Sequence, residues 1–83
     1  MKIFKIRVCD KSGQLLDILG SEESMKDQYS NITEVLNEHE ISGVTRKTIE
    51  VGGHMDLSDK ASYEVVIPIE CISWITLLDM YGK

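Results

Sequence analysis

Met25-Lys26-Asp27-Gln28-Tyr29-Ser30-Asn31-Ile32-Thr33-Glu34-Val35-Leu36 is the stretch that decides the fold class of this 83-residue chain. Its apolar residues Met25, Tyr29, Ile32, Val35 and Leu36 follow one another at intervals of four, three, three and one, and polar residues fill the remaining positions. That spacing predicts an amphipathic helix that lays one stripe on a core. The helix is expected over about 22–39. Ser21 and Ser24 can each accept a first-turn amide, and Asn31 with Glu34 also has the form of a capping box, so a break near Ser30 stays open. Ser42-Gly43 marks the exit.

On both sides of this helix the period changes to two. Phe4, Ile6 and Val8 alternate with Lys5 and Arg7, the pattern of a strand with one face in a core. Asp10-Lys11-Ser12-Gly13 ends in a glycine able to take positive φ and predicts a short hairpin loop, with Gln14 to Leu19 returning as a second strand. After the helix, Val44 to Val51 is rich in β-branched residues and predicts a third strand. Gly52 to Ala61 carries the composition of a loop. Tyr63-Glu64-Val65-Val66-Ile67 is the strongest strand signal, and Pro68 puts its end on an edge or a bend. Residues 69–78 fit two periods. Ile72, Trp74 and Leu78 share a face as a strand, and Ile72, Ile75 and Leu78 share one as a helix; the strand-forming residues there favour a fifth strand. The expected architecture is therefore α+β, a small mostly antiparallel sheet in ββαβββ order packed against one helix, and with no linker or repeat the whole of 1–83 forms a single domain.

Composition narrows the function classes. Hydrophobic content of 42% against 28% charged suits a folded domain. The N-terminus lacks the continuous apolar run of a signal peptide, and the longest apolar stretch is too short to span a bilayer, so a cytoplasmic protein without membrane partners is expected. The two cysteines, Cys9 and Cys71, read as buried reduced thiols. The net charge is -5. It is unevenly spread: Lys2, Lys5, Arg7 and Lys11 against Asp10 make the first strand basic, whereas Asp17, Glu22, Glu23, Asp27, Glu34, Glu38 and Glu40 against Lys26 make the centre acidic. Duplex nucleic acid is disfavoured as a partner by that balance.

No catalytic or metal-ligating set emerges. His39 at the helix end reads as a solvated side chain, and neither it nor His54 has cysteine or carboxylate neighbours at zinc spacing. Gly52-Gly53 lacks the further glycine and lysine of a phosphate loop. Asn31-Ile32-Thr33 matches a glycosylation acceptor but has no secretion signal to go with it. No cofactor is implied. Phe4 and Tyr63 fall on expected core faces, whereas Trp74 and Tyr81, beside Leu78 and Met80, have the character of interface residues. Arg46 and Lys47 form the only adjacent basic pair, suited to an acidic or phosphate-bearing partner.

Lys5-Ile6-Arg7-Val8 with the Gly13 hairpin, and Tyr63 to Ile69 followed by Ile72 and Ile75, resemble the first and last strands of small Sm-like barrels. That resemblance covers fewer than half the residues and implies rings that hold RNA, a nucleotide or a small ligand at subunit interfaces, with Arg7, Arg46, Lys47 or the Gly52–Lys60 loop in contact. The helix follows the second strand here, whereas in those barrels it precedes the first. The preferred reading is a non-enzymatic binding module, a regulator or inhibitor in the style of those encoded by phages and mobile elements, acting on a protein partner or a small phosphate-bearing ligand. Its binding residues are expected among Arg46, Lys47, Gly52, Gly53, His54, Trp74 and Tyr81. A small enzyme ranks third, and a homo-oligomer, most simply a dimer, is expected because an open five-stranded sheet leaves edges.

Overall fold

A computed structural model describes residues 2–42, 48–56, 58 and 60–80, with backbone only for 40–42. The elements run β1 (Ile3–Asp10), β2 (Leu15–Ser21), α1 (Glu22–Ser42), β3 (Thr48–Gly53), β4 (Tyr63–Pro68), a 3₁₀ turn (Ile69–Cys71) and β5 (Ile72–Asp79). This is the expected ββαβββ order of an α+β domain.

The first hairpin closes on a single carboxylate. Asp10 Oδ1 accepts from the Ser12 amide at 2.9 Å, the Ser12 hydroxyl at 2.6 Å and the Gln14 amide at 2.9 Å. Gly13, at φ 92°, is the one left-handed residue among those described, and only glycine takes that conformation without strain. The Ser12 hydroxyl, followed by the Gln14 amide, holds the Asp10 carboxyl below its ordinary range.

β1 is the centre of a three-stranded antiparallel sheet ordered β2-β1-β5. Its even positions Phe4, Ile6 and Val8 face inward with Leu16 and Ile18 of β2 and with Ile75 and Leu77 of β5. Opposite Cys9 and Asp10 the register shifts, Trp74 pairing with Cys9 and Ile72 with Asp10, so that Ser73 is an extra residue. The bulge turns Ile72 inward together with Ile75. The strand assignment for this segment holds, but Ile72 and Trp74 do not share a face, because one bulged residue breaks the period of two.

The helix runs unbroken through Ser30 and three residues past the expected end. The Ser21 hydroxyl caps it, accepting from the Ser24 amide at 3.2 Å. The Thr33 hydroxyl donates back to the Tyr29 and Ser30 carbonyls at 3.0 and 2.9 Å, satisfying itself inside the helix. Met25 and Ile32 are buried on the sheet, and Tyr29, Val35 and Leu36 pack around them. Ile6, Ile18, Met25 and Val51 are the largest fully enclosed side chains, each worth roughly 1.5–3 kcal/mol by burial.

β3 and β4 form a two-stranded antiparallel ladder from Thr48↔Pro68 to Gly53↔Tyr63. One bridge joins it to the larger sheet: the Leu19 amide donates to the His54 carbonyl at 2.7 Å, and the His54 amide to the Leu19 carbonyl at 2.8 Å. Beyond the bridge β2 turns into the helix, and Gln28 takes over as the neighbour of β3. Its Oε1 accepts from the Gly52 amide at 2.7 Å and its Nε2 donates to the Gly52 carbonyl at 2.9 Å. One side-chain amide thus stands in for a strand residue.

Three expectations need correction. Gly52 and Gly53 end β3 and do not open a loop. Tyr63, the first residue of β4, has the inward register but meets an opening in place of core, and is 43% exposed. Cys71, carried outward by the 3₁₀ turn after Pro68, is exposed, unlike the buried Cys9. Of the expected third strand, residues 44–47 lie outside the described residues.

Candidate functional site

The inner face of the β2-β1-β5 sheet is covered by the helix, and its outer face is a grid fixed by strand register. One row is Leu15–Cys9–Trp74, the next Asp17–Arg7–Thr76, the third Leu19–Lys5–Leu78. The first row is apolar throughout. Cys9 is enclosed between its neighbours, while Leu15 is 55% and Trp74 46% exposed.

The middle row carries charge that largely cancels. Arg7 donates to Asp17 through both Nε and Nη2, at 2.8 and 3.0 Å, and Lys5 Nζ reaches the same carboxylate at 3.3 Å. The Arg7 hydrogen bond holds the Asp17 carboxyl below its usual range, against partial desolvation and with help from Lys5. The same bond raises the Arg7 pKa. Arg7 is therefore engaged within the chain and is a weak candidate for holding a ligand phosphate.

A cleft of about 830 Å³ opens where the two sheets diverge. Ser24 and Gln28 of the helix, Gly52, Gly53 and His54, and Tyr63 with Glu64 line it together with Glu50. His54 is held through its backbone by Leu19, and its Nδ1–H donates to the Ala61 carbonyl at 2.7 Å. Among the described residues the cleft lining contains two carboxylates and no lysine or arginine, a poor setting for an anion.

The structure therefore separates the expected site residues. Gly52, Gly53 and His54 meet at the cleft with backbone duties, whereas Trp74 lies on the outer sheet face. Arg46, Lys47 and Tyr81 lie outside the described residues. Sequence reading missed Leu15 and placed Cys9 among buried residues without a face. The alternation that sends Phe4, Ile6 and Val8 inward assigns Cys9 to the outer face with Lys5 and Arg7, so half of the row was readable. Among the described residues no group of three His, Cys, Asp or Glu side chains is placed to hold a metal ion, and no helix is long and apolar enough to cross a membrane.

Compared with family models, curated proteins and solved structures, the chain matches none.

Proposed function

We propose that the chain is a non-enzymatic binding module, a small regulator or inhibitor that acts by occupying a protein partner through the outer face of its three-stranded sheet. The observation that carries this reading is the Leu15–Cys9–Trp74 row, in which Leu15 and Trp74 expose apolar surface on either side of the enclosed Cys9, on the face opposite the helix. Contiguous exposed apolar surface marks contact sites, and a tryptophan in such a strip supplies a large share of binding energy when it is covered. Lys5 and Arg7 against Asp17 leave the face with a small positive balance on an acidic chain, which favours a partner with an apolar centre and an acidic rim. A phosphate-bearing ligand is less well supported: Arg7 is engaged by Asp17, and the cleft at His54 is lined by carboxylates.

The test is affinity capture from the host's lysate with the wild-type chain and with Leu15→Ser, Trp74→Ser and an Arg46→Ala/Lys47→Ala double variant. The reading expects a captured protein that is lost with the first two variants and kept with the third. Retention with both Leu15→Ser and Trp74→Ser, or loss confined to the basic-pair variant, moves the site off this face.

A further inference from the structure

The second open feature of the sheet is an edge. Among the described residues β5 borders β1 on one side and no strand on the other; its bulge at Ser73 and its one charge, Asp79, lie at its two ends, and from Trp74 to Leu78 it reads Trp-Ile-Thr-Leu-Leu, without a charge or a proline. Edges of this kind are normally guarded by lysine, proline or inward charge. The other outer strand, β4, carries such guards: Glu64 faces outward near its start, and Pro68 at its end has no amide.

The hydrogen-bond alternation shows which groups β5 offers. Met80 donates to the Ile3 carbonyl at 3.0 Å, so Leu78, Thr76 and Trp74, paired with Lys5, Arg7 and Cys9, direct their backbone groups to β1. Ile75 and Leu77 then direct theirs away from β1, along the edge.

We infer that β5 pairs antiparallel with β5 of a second copy of this chain, about a two-fold axis passing between the two Thr76 residues, to make one six-stranded sheet. This register uses the regular stretch beyond the bulge and matches like with like. Ile75 faces Leu77 of the second copy on the inner side, with both exchanging backbone hydrogen bonds. Trp74 faces Leu78 of the second copy on the outer side, an aromatic–aliphatic cross-strand pair. The two Asp79 carboxylates fall at opposite ends, roughly 20 Å apart at a strand rise of about 3.3 Å per residue, so no like charges oppose. Each Ile75 amide and carbonyl, and each Leu77 amide and carbonyl, gains a partner. The contact is isologous and closes at two chains. It adds a second outer face beside the first, and it does not depend on the identity of the partner proposed above.

Two measurements test it. Light scattering at tens of micromolar should give twice the 9.4 kDa chain mass, and amide exchange at that concentration should show Ile75 and Leu77 protected, the protection fading on dilution. Thr76→Glu places two carboxylates face to face across the axis while each sits beside its own Arg7, so the folded chain should persist by circular dichroism and the dimer should weaken by about fivefold or more. Mixing Thr76→Glu chains with Thr76→Lys chains should restore a mixed dimer. A monomeric wild-type mass overturns the inference. So does a dimer in which Ile75 and Leu77 exchange freely, or one protected at Glu64 and Val66 of β4. Loss of capture with Leu15→Ser while the dimer persists, or the reverse, separates the outcome for the face from the outcome for the edge.

Discussion

Gly53→Ala is the substitution for which the fold makes its sharpest claim. A Cβ at this position would overlap the Leu19 carbonyl oxygen and come within 2.7 Å of Ile18 Cγ2. The oxygen is backbone and the methyl belongs to a fully buried side chain, so neither can swing aside. The strand must retreat, and the nearest casualties are the paired hydrogen bonds between Leu19 and His54 at 2.7 and 2.8 Å, which among the described residues are the backbone bonds that tie β3-β4 to β2. Two hydrogen bonds at about 1 kcal/mol each, with overpacking of about 1–3 kcal/mol if the strand does not fully retreat, give a loss of roughly 2–5 kcal/mol. For a domain of this size that lowers the melting temperature by roughly 10 to 40 °C. The adjacent Gly52 is the control. A Cβ there meets nothing closer than 3.8 Å and its φ is not positive, so Gly52→Ala should change stability by less than about 1 kcal/mol, and in the stabilising direction if the unfolded chain is stiffened. Urea denaturation of both variants decides it. Equal midpoints for Gly52→Ala and Gly53→Ala would refute the close approach and, with it, the joining of the two sheets.

The same junction predicts that Gln28→Leu, which strips both partners from the Gly52 backbone, costs about 1–3 kcal/mol by chemical denaturation; no loss would show that water replaces the amide. Asp17 carries a pH signature: its folded pKa lies below the unfolded value, so its contribution is present above the ordinary aspartate range near pH 4 and is lost as pH falls through the lower folded value. Asp17→Asn should flatten the acid limb of the stability profile while leaving the chain folded at neutral pH, and an unchanged limb counts against the Arg7 pairing. The thiols should divide, with Cys71 modified rapidly in the native state and Cys9 only on unfolding. Cys71→Ser should then be near neutral, and Cys9→Ser should cost about 1–2 kcal/mol.

What could be read from the sequence follows the range of the forces involved. The stripe of Met25, Tyr29, Ile32, Val35 and Leu36 specified the helix because its period lies within one element. Asp10 to Gly13 specified its hairpin because both the cap and the positive φ are local. Legibility fails where a distant chain segment decides. The two glycines before His54 have the composition of a turn; pairing with Glu64 and Tyr63 of β4 makes them strand residues, and the approach of Leu19, more than thirty positions earlier, leaves no room for a side chain at the second. Ser73 hides a bulge that no propensity marks, so the inward partners of Ile72 were misassigned. Trp74 stood out by residue type. Leu15 did not, because its exposure follows from the absence, among the described residues, of a layer over the outer face.

That missing layer, rather than any single residue, connects the fold to the proposed binding. A domain with one amphipathic helix can cover one face of a sheet, and here Met25 and Ile32 commit the helix to the inner face. The outer face must then satisfy itself in water. Its middle row does so through Arg7 and Asp17, which Lys5 of the third row also reaches, and the β2 edge is partly occupied by His54 at Leu19. The Leu15–Cys9–Trp74 row ends in the exposed Leu15 and Trp74, and along β5 the bulge at Ser73 and the charge of Asp79 lie at the two ends of the strand, leaving the backbone groups of Ile75 and Leu77 directed outward between them. Leu15 and Trp74 are the apolar side chains that the proposed partner would cover. The strip and the edge meet at Trp74, so a β5–β5 dimer would carry two copies of the strip on one continuous sheet. A partner with two matching sites would then engage both, and its apparent affinity should fall much further on Thr76→Glu than that of a partner with one.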